Sequence, residues 1–142
     1  MQHVICTGNI GREQFNEFCA LAPNVHVVRG DFDNDETLQF PEVQVIQVGE
    51  FRIGLIHGHQ LLPSAASQDA KSRMRRKLDV DILVSGHTHK NEVVLEDGCY
   101  HINPVSGFLD ERNWKLLRTQ MVLLLEIHSW LVIFAILLYF DL

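Results

Sequence analysis

Cysteine is scarce in this sequence: three in 142 residues, none in a Cys-x-x-Cys pair. Cys6, Cys19 and Cys99 therefore exclude a disulfide framework or a thiolate zinc knuckle, and they suit a reducing compartment, the cytoplasm by default. Positive charge is also short. Twelve Lys and Arg against eighteen Asp and Glu give a net charge of −6, the wrong sign for a chain that lives by neutralising phosphate backbones, so nucleic acid is excluded as the main partner. Met1 to Ile10 lack a charged leader followed by a long apolar core, and no signal peptide is expected. Internal repeats and low-complexity tracts are absent too, and at roughly 150 residues per domain the chain 1–142 reads as a single domain. Histidine is the exception to this poverty: eight in so short a chain raise the question of a metal.

Apolar periodicity alternates between the two regular structures. Val4 to Cys6 is a short buried strand closed by Gly8, Asn9 and Gly11. From Arg12 to Ala22, Phe15, Phe18, Cys19 and Ala22 recur at the spacing of one buried helix face, and Pro23 ends it. Val25 to Val28 is a second strand, so strand, helix and strand imply a right-handed parallel crossover. Val43–Val48 and Phe51–Ile56 flank Gly49-Glu50 as a hairpin. A polar, Ala-containing stretch from Pro63 to Leu78 is helical by propensity and leads into the strand Val80–Val84. Glu92–Leu95 and Tyr100–Ile102 form a further hairpin around Asp97-Gly98. The fold class that follows is α/β.

Four of these strands run into glycine beside a polar residue: Gly8-Asn9, Gly30-Asp31, His57-Gly58-His59 and Gly86-His87-Thr88-His89. In open α/β sheets the carboxyl ends of parallel strands line one crevice, and glycine there lets the backbone turn while a side chain points at a ligand. Each junction alone reads more readily as an ordinary turn than as a ligand. Together they could assemble carbonyl, carboxylate and imidazole ligands, a donor set that suits zinc, manganese or iron better than magnesium or calcium. His3, His26, His101 and His128 read as ordinary structural histidines.

At these same residues the sequence resembles the calcineurin-like metallophosphoesterases, whose signature joins Asp-x-His, Gly-Asp-x-x-Asp, Gly-Asn-His-Glu/Asp, His-Gly-His and Gly-His-x-His. Cys6-Thr7-Gly8-Asn9, Val28 to Asp33, Gly54 to His59, Asp79 to Lys90 and Ile102-Asn103-Pro104 carry the match. The likeness is to the branch that supplies the small subunit of retromer-like endosomal sorting coats. It implies a two-sheet αββα sandwich in which Asn9 replaces the metal-bridging aspartate, Asp31 stands at an asparagine position, and His57, His87 and His89 complete the ligands. The implied cofactor is a weakly held divalent metal, zinc or manganese. Three departures bear on function. The Asp-x-His strand that the family carries ahead of Asn9 is missing, so the domain is expected to be incomplete at its amino end. The motif histidine that protonates the leaving group is replaced by Phe32, which has no titratable proton. Val105 stands where the family has glycine.

The resemblance thus implies a scaffold rather than an enzyme, with no catalytic residue assigned: a cytoplasmic subunit of a complex at the endosome membrane, peripheral to it, serving endosome-to-Golgi retrograde transport. Leu62, in Leu61-Leu62-Pro63, is expected to dock an α-solenoid subunit, and Leu124 to fall in a patch that recruits a Rab GTPase-activating regulator. The alternative is an active divalent-metal-dependent phosphoesterase. Two stretches stand apart from the motifs. Lys71, Arg73, Arg75, Arg76 and Lys77 crowd one helix and read as a solvated face, or as a contact for acidic lipid headgroups. Met121 to Phe140 is long enough to span a bilayer, but Glu126, His128 and Ser129 interrupt it. A hairpin of Met121–Ile127 and Leu131–Tyr139 is the preferred reading of this divergent 105–142 segment, against a membrane helix or an altered reading frame.

Overall fold

The computed structural model describes residues 2–33, 38–90 and 92–103, and the backbones of two strands at 123–128 and 131–136. Strand β1 (His3–Cys6) leads through helix α1 (Arg12–Leu21) to β2 (Asn24–Val27), and the two strands pair in parallel. A five-stranded sheet follows, built from β3 (Val43–Val48), β4 (Phe51–Ile56), β5 (Ile82–Val84), β6 (Glu92–Glu96) and β7 (Cys99–Asn103), with helix α2 (Gln68–Leu78) between β4 and β5. Its spatial order is β3-β4-β5-β7-β6. The inner pairs β4/β5 and β5/β7 are parallel, and the two edge pairs are the antiparallel hairpins the turn residues announce.

Strand alternation sorts the side chains into layers. Ile5 on β1 and Val28 just after β2 meet Ile46, Val48, Ile53, Leu55, Ile82, Val84 and Ile102 in the core between the sheets. The other face of the small sheet, Val4, Cys6 and Val27, packs on Phe18 and Ala22 at α1. On the far side, Ile56 and Leu83 meet Leu61, Ala70, Met74 and Leu78 under α2. The layers are helix, sheet, sheet, helix, the expected αββα sandwich. Each fully buried Leu or Ile in it contributes roughly 1.5–3 kcal/mol.

Two element boundaries differ from the expectation. Helix α2 starts at Gln68, not at Pro63, because Ser67 is the N-cap and its Oγ accepts the Ala70 N–H at 3.3 Å. Ser64 makes a preceding turn, with its carbonyl accepting from Ser67. Strand β5 starts at Ile82, since Val80 N–H bonds the Arg75 carbonyl and Asp81 Oδ2 accepts the Arg52 N–H outside the ladder. The basic run does not form one solvated face. Lys71 is buried against Glu92, Arg75 bonds Cys99, and Arg73 bonds the Leu62 carbonyl, while Arg76 and Lys77 are exposed.

Strands β8 (Leu123–His128) and β9 (Leu131–Ile136) pair antiparallel from Leu123↔Ile136 to His128↔Leu131, and β8 runs beside β1. The side chain of Leu124, the position of Val105 and the extension of the last strand to Tyr139 lie outside the described residues. Among the described residues, no helix is long and apolar enough to cross a membrane.

Candidate metal centre

The carboxyl ends of β1, β2, β4 and β5 deliver the four glycine junctions to one place. After β1 the chain turns through Gly8 (φ +97°) and Asn9 (φ +61°). A Cβ on Gly8 would lie 2.5 Å from both Gly30 N and the Val28 carbonyl, so the residue is fixed by its φ and by the neighbouring loop. Asparagine tolerates the left-handed conformation better than most side chains. A Cβ on Gly30 would in turn lie 2.0 Å from Asn9 Oδ1. Asp33 ties these two loops together: its carboxylate accepts N–H groups from Asn9 (2.9 Å), Ile10 (2.9 Å) and Gly30 (2.7 Å). Nothing in the local sequence of Asp33 marks it out for this role.

Asp31, His57 and His87 converge, with one ligand atom from each lying within 4.8 Å of the others. Asp31 Oδ1 is 3.0 Å from His57 Nε2, and Asp31 Oδ2 is 3.6 Å from His87 Nδ1. Two ligands on one tetrahedral zinc, each at about 2.0–2.2 Å, stand roughly 3.3–3.5 Å apart, and the observed separations bracket that figure. The tautomer of His57 sharpens the argument. Its Nδ1 lies 2.6 Å from the Thr7 carbonyl, which can only accept, so Nδ1 carries the hydrogen. In the neutral ring Nε2 then aims a lone pair at a carboxylate oxygen, and a cation between them resolves the conflict. A backbone carbonyl orienting a ligating histidine is a common second layer of support at metal sites.

Burial is the main force lowering the His57 pKa, with His87 and His59 adding to it against the opposing Thr7 bond and Asp31 charge. The neutral, ligating form is therefore favoured. Partial burial works to raise the Asp31 pKa. The Asn9 amide bond and the electrostatic influence of the neighbouring His57 and His87 rings outweigh it and hold the carboxyl below its ordinary value. The residues present fit a divalent metal, with Asp31, His57 and His87 to hold it.

The remaining expected ligands are placed differently. Asn9 borders the cluster, but its Nδ2 donates to Asp31 Oδ1 (3.0 Å) and lies 3.4 Å from His57 Nε2, while its Oδ1 accepts the Phe32 N–H (2.9 Å). As oriented, Asn9 presents hydrogens to the site rather than its oxygen. His89 is exposed, in a left-handed conformation (φ +55°), and is not in the three-residue cluster. The loop carrying His87 (φ +70°) is held from below by buried Asn103, whose Nδ2 donates to the Gly86 carbonyl (3.2 Å) and Thr88 Oγ1 (2.8 Å). Beside the histidines a groove of about 470 Å³ is lined by Leu61, Leu62, Pro63, Thr88 and Lys90, with Leu62 75% exposed.

The family description that matches residues 1–128 is the calcineurin-like phosphoesterase superfamily domain. Vacuolar protein sorting-associated protein 29 of Schizosaccharomyces pombe is 34% identical over 108 residues, 75% of this chain and 56% of that protein. Among solved structures, wild-type Vps29 of Entamoeba histolytica complexed with zinc is 48% identical with a TM-score of 0.69, and Vacuolar Protein Sorting 29 of Cryptosporidium parvum is 39% identical with a TM-score of 0.67. Both alignments cover 75% of this chain and 58% of theirs, so the chain spans little more than half the length of these relatives. With the family match running from residue 1 to 128 of 142, the chain belongs to the calcineurin-like phosphoesterase superfamily.

Proposed function

We propose that this chain serves as the small scaffold subunit of a retromer-like endosomal sorting complex, with its metal pocket forming part of a docking face instead of a turnover site. The observation that carries the reading is Leu62, three-quarters exposed on the rim of the groove beside His87. An exposed leucine at the mouth of a polar pocket gives a partner an apolar anchor next to a preorganised polar surface, the usual make-up of a binding hot spot. The partner proposed there is an α-solenoid subunit. By the same likeness, Leu124 belongs to a patch for a Rab GTPase-activating regulator, and the chain reaches the endosome membrane peripherally, through the complex, in endosome-to-Golgi transport.

The ion held by Asp31, His57 and His87 is zinc or manganese. When bound, it would supply Lewis acidity and an activated water. The chain's own residues do little to exploit that. Phe32, 67% exposed where the family carries its proton donor, has nothing to give a leaving group. Among the described residues Asp31 is the only carboxylate in the cluster, against the charge of two divalent ions, which favours weak occupancy.

A metal-dependent phosphoesterase is the second reading, favoured by the convergence of Asp31, His57 and His87 alone. Incubation with manganese or zinc and an aryl phosphate separates the two. The scaffold reading expects no hydrolysis above that of the free ion; turnover that tracks chain concentration and disappears in His57→Ala would overturn it.

A further inference from the structure

A second pair of histidines lies on the small sheet, outside the cluster of Asp31, His57 and His87. In the β1/β2 register His3 faces Asn24 and Ile5 faces His26, so the two histidines are diagonal neighbours on one face of the sheet. Their rings are stacked at 14° with centroids 5.5 Å apart, and His3 Nδ1 is 3.2 Å from His26 Nε2. Both side chains are half-buried. Only one hydrogen fits between two nitrogens at that distance, so one neutral ring donates and the other accepts. Neither His3 nor His26 belongs to the cluster of Asp31, His57 and His87.

We propose that His3 and His26 form a second, bidentate site for an imidazole-seeking divalent ion, Zn²⁺, Ni²⁺ or Cu²⁺. Two nitrogens bound at about 2.0–2.1 Å to one tetrahedral ion stand roughly 3.3–3.4 Å apart, within 0.2 Å of the spacing already present. Binding puts the ion in place of the shared hydrogen: the donating ring passes to its other neutral tautomer, its hydrogen moving through solvent to the second ring nitrogen, and each ring turns about its Cβ–Cγ bond. The backbone is fixed by the β1/β2 ladder, and Asn24 Nδ2 adds a bond to the Gln2 carbonyl at 3.0 Å. Burial, and next the neighbouring His3, lower the His26 pKa, which keeps a neutral donor available near pH 7. Among the described residues no third His, Cys, Asp or Glu ligand joins the pair, so water completes the shell and this site fills after the carboxylate-bearing one. Purely nitrogen donors also discriminate between ions. Manganese, which prefers oxygen, is accepted at Asp31 and refused at His3 and His26.

The test uses the full chain stripped with a chelator, then given Zn²⁺ or Mn²⁺. Histidine carbethoxylation is mapped by peptide mass, and Zn²⁺ stoichiometry is measured by calorimetry. Zn²⁺ is expected to slow modification of His3 and His26 at least fivefold, Mn²⁺ to leave both unchanged, and His26→Gln to remove the protection of His3 together with one bound zinc. Unchanged modification of His3 and His26 under saturating Zn²⁺ overturns the proposal, as does a His26→Gln chain that keeps its full zinc count. If His26→Gln does not fold, the wild-type protection map decides alone. Protection of His57 reports the first site in the same digest, so failure of one site cannot be mistaken for failure of the other.

Discussion

Acid should weaken this fold through one histidine more than any other. His101 on β7 is 7% exposed, with Nε2 2.9 Å from Ser85 Oγ and Nδ1 3.7 Å from Glu92 Oε2. Burial first, and then the buried Lys71 ammonium, push its pKa down to about 4 from 6.5, against the opposing charge of Glu92. The ring is therefore neutral in the fold and protonated in the unfolded chain wherever the pH lies between those values. A pKa depressed on folding contributes stability that is complete above 6.5 and is lost as the pH falls towards 4. At about 1.4 kcal/mol for each tenfold step in proton affinity, the loss is roughly 3 kcal/mol, a large part of a typical 5–15 kcal/mol. Urea unfolding of the chelator-treated chain from pH 7.5 to 4, beside His101→Gln, measures it. Glutamine can still accept the Ser85 hydroxyl but does not titrate, and His26, His57 and the carboxylates are common to both chains. The wild type should lose roughly 3 kcal/mol relative to the variant across that window. A difference that stays constant within about 1 kcal/mol from pH 7 to pH 4 would show that His101 does not carry the acid sensitivity.

Three further outcomes follow. Gly30→Ala would place a methyl group 2.0 Å from Asn9 Oδ1, displacing the amide from Asp31 and the Phe32 N–H; thermal unfolding should show a loss of about 1–3 kcal/mol, together with weaker zinc binding. Asp33→Asn removes the charge that strengthens three backbone bonds, and should cost about 1.5–3 kcal/mol while Phe32→Ala, at an exposed side chain, costs little by the same melt. Burial pushes the Cys6 thiol up to about 12, so iodoacetamide at pH 8 should label exposed Cys19 in the native chain and leave Cys6 untouched until denaturant is added.

Much of this architecture is legible in the chain because its signals are local. The β-branched runs mark the described core strands, Gly49-Glu50 and Asp97-Gly98 mark the hairpins, and the glycine junctions mark the strand ends where Asp31, His57 and His87 meet. What was not legible depends on partners distant in sequence. Lys71 looks like its exposed neighbours Arg76 and Lys77 until β6 brings Glu92 under the helix, 21 residues away. Asp33 reads as one more acid in an acidic loop, and only the folded crossing of two loops gives its oxygens three N–H groups. Ser64 and Ser67 are equally good caps in sequence, and the bond to Ala70 selects the second. His87 and His89 share one motif, yet both take left-handed backbones and only His87 is carried to Asp31. The identity of Asn9 shows that a charge is missing, but not that its amide turns hydrogens towards the site.

The rim beside the metal pocket is proposed as a docking face anchored by Leu62. Calorimetric titration of the full chain with the cognate α-solenoid subunit, wild type against Leu62→Asp, tests it directly. Binding in the micromolar range or tighter is expected for the wild type, and at least a hundredfold loss, about 2.7 kcal/mol or more, for the variant. Binding of equal strength by both chains, or by neither, would contradict it.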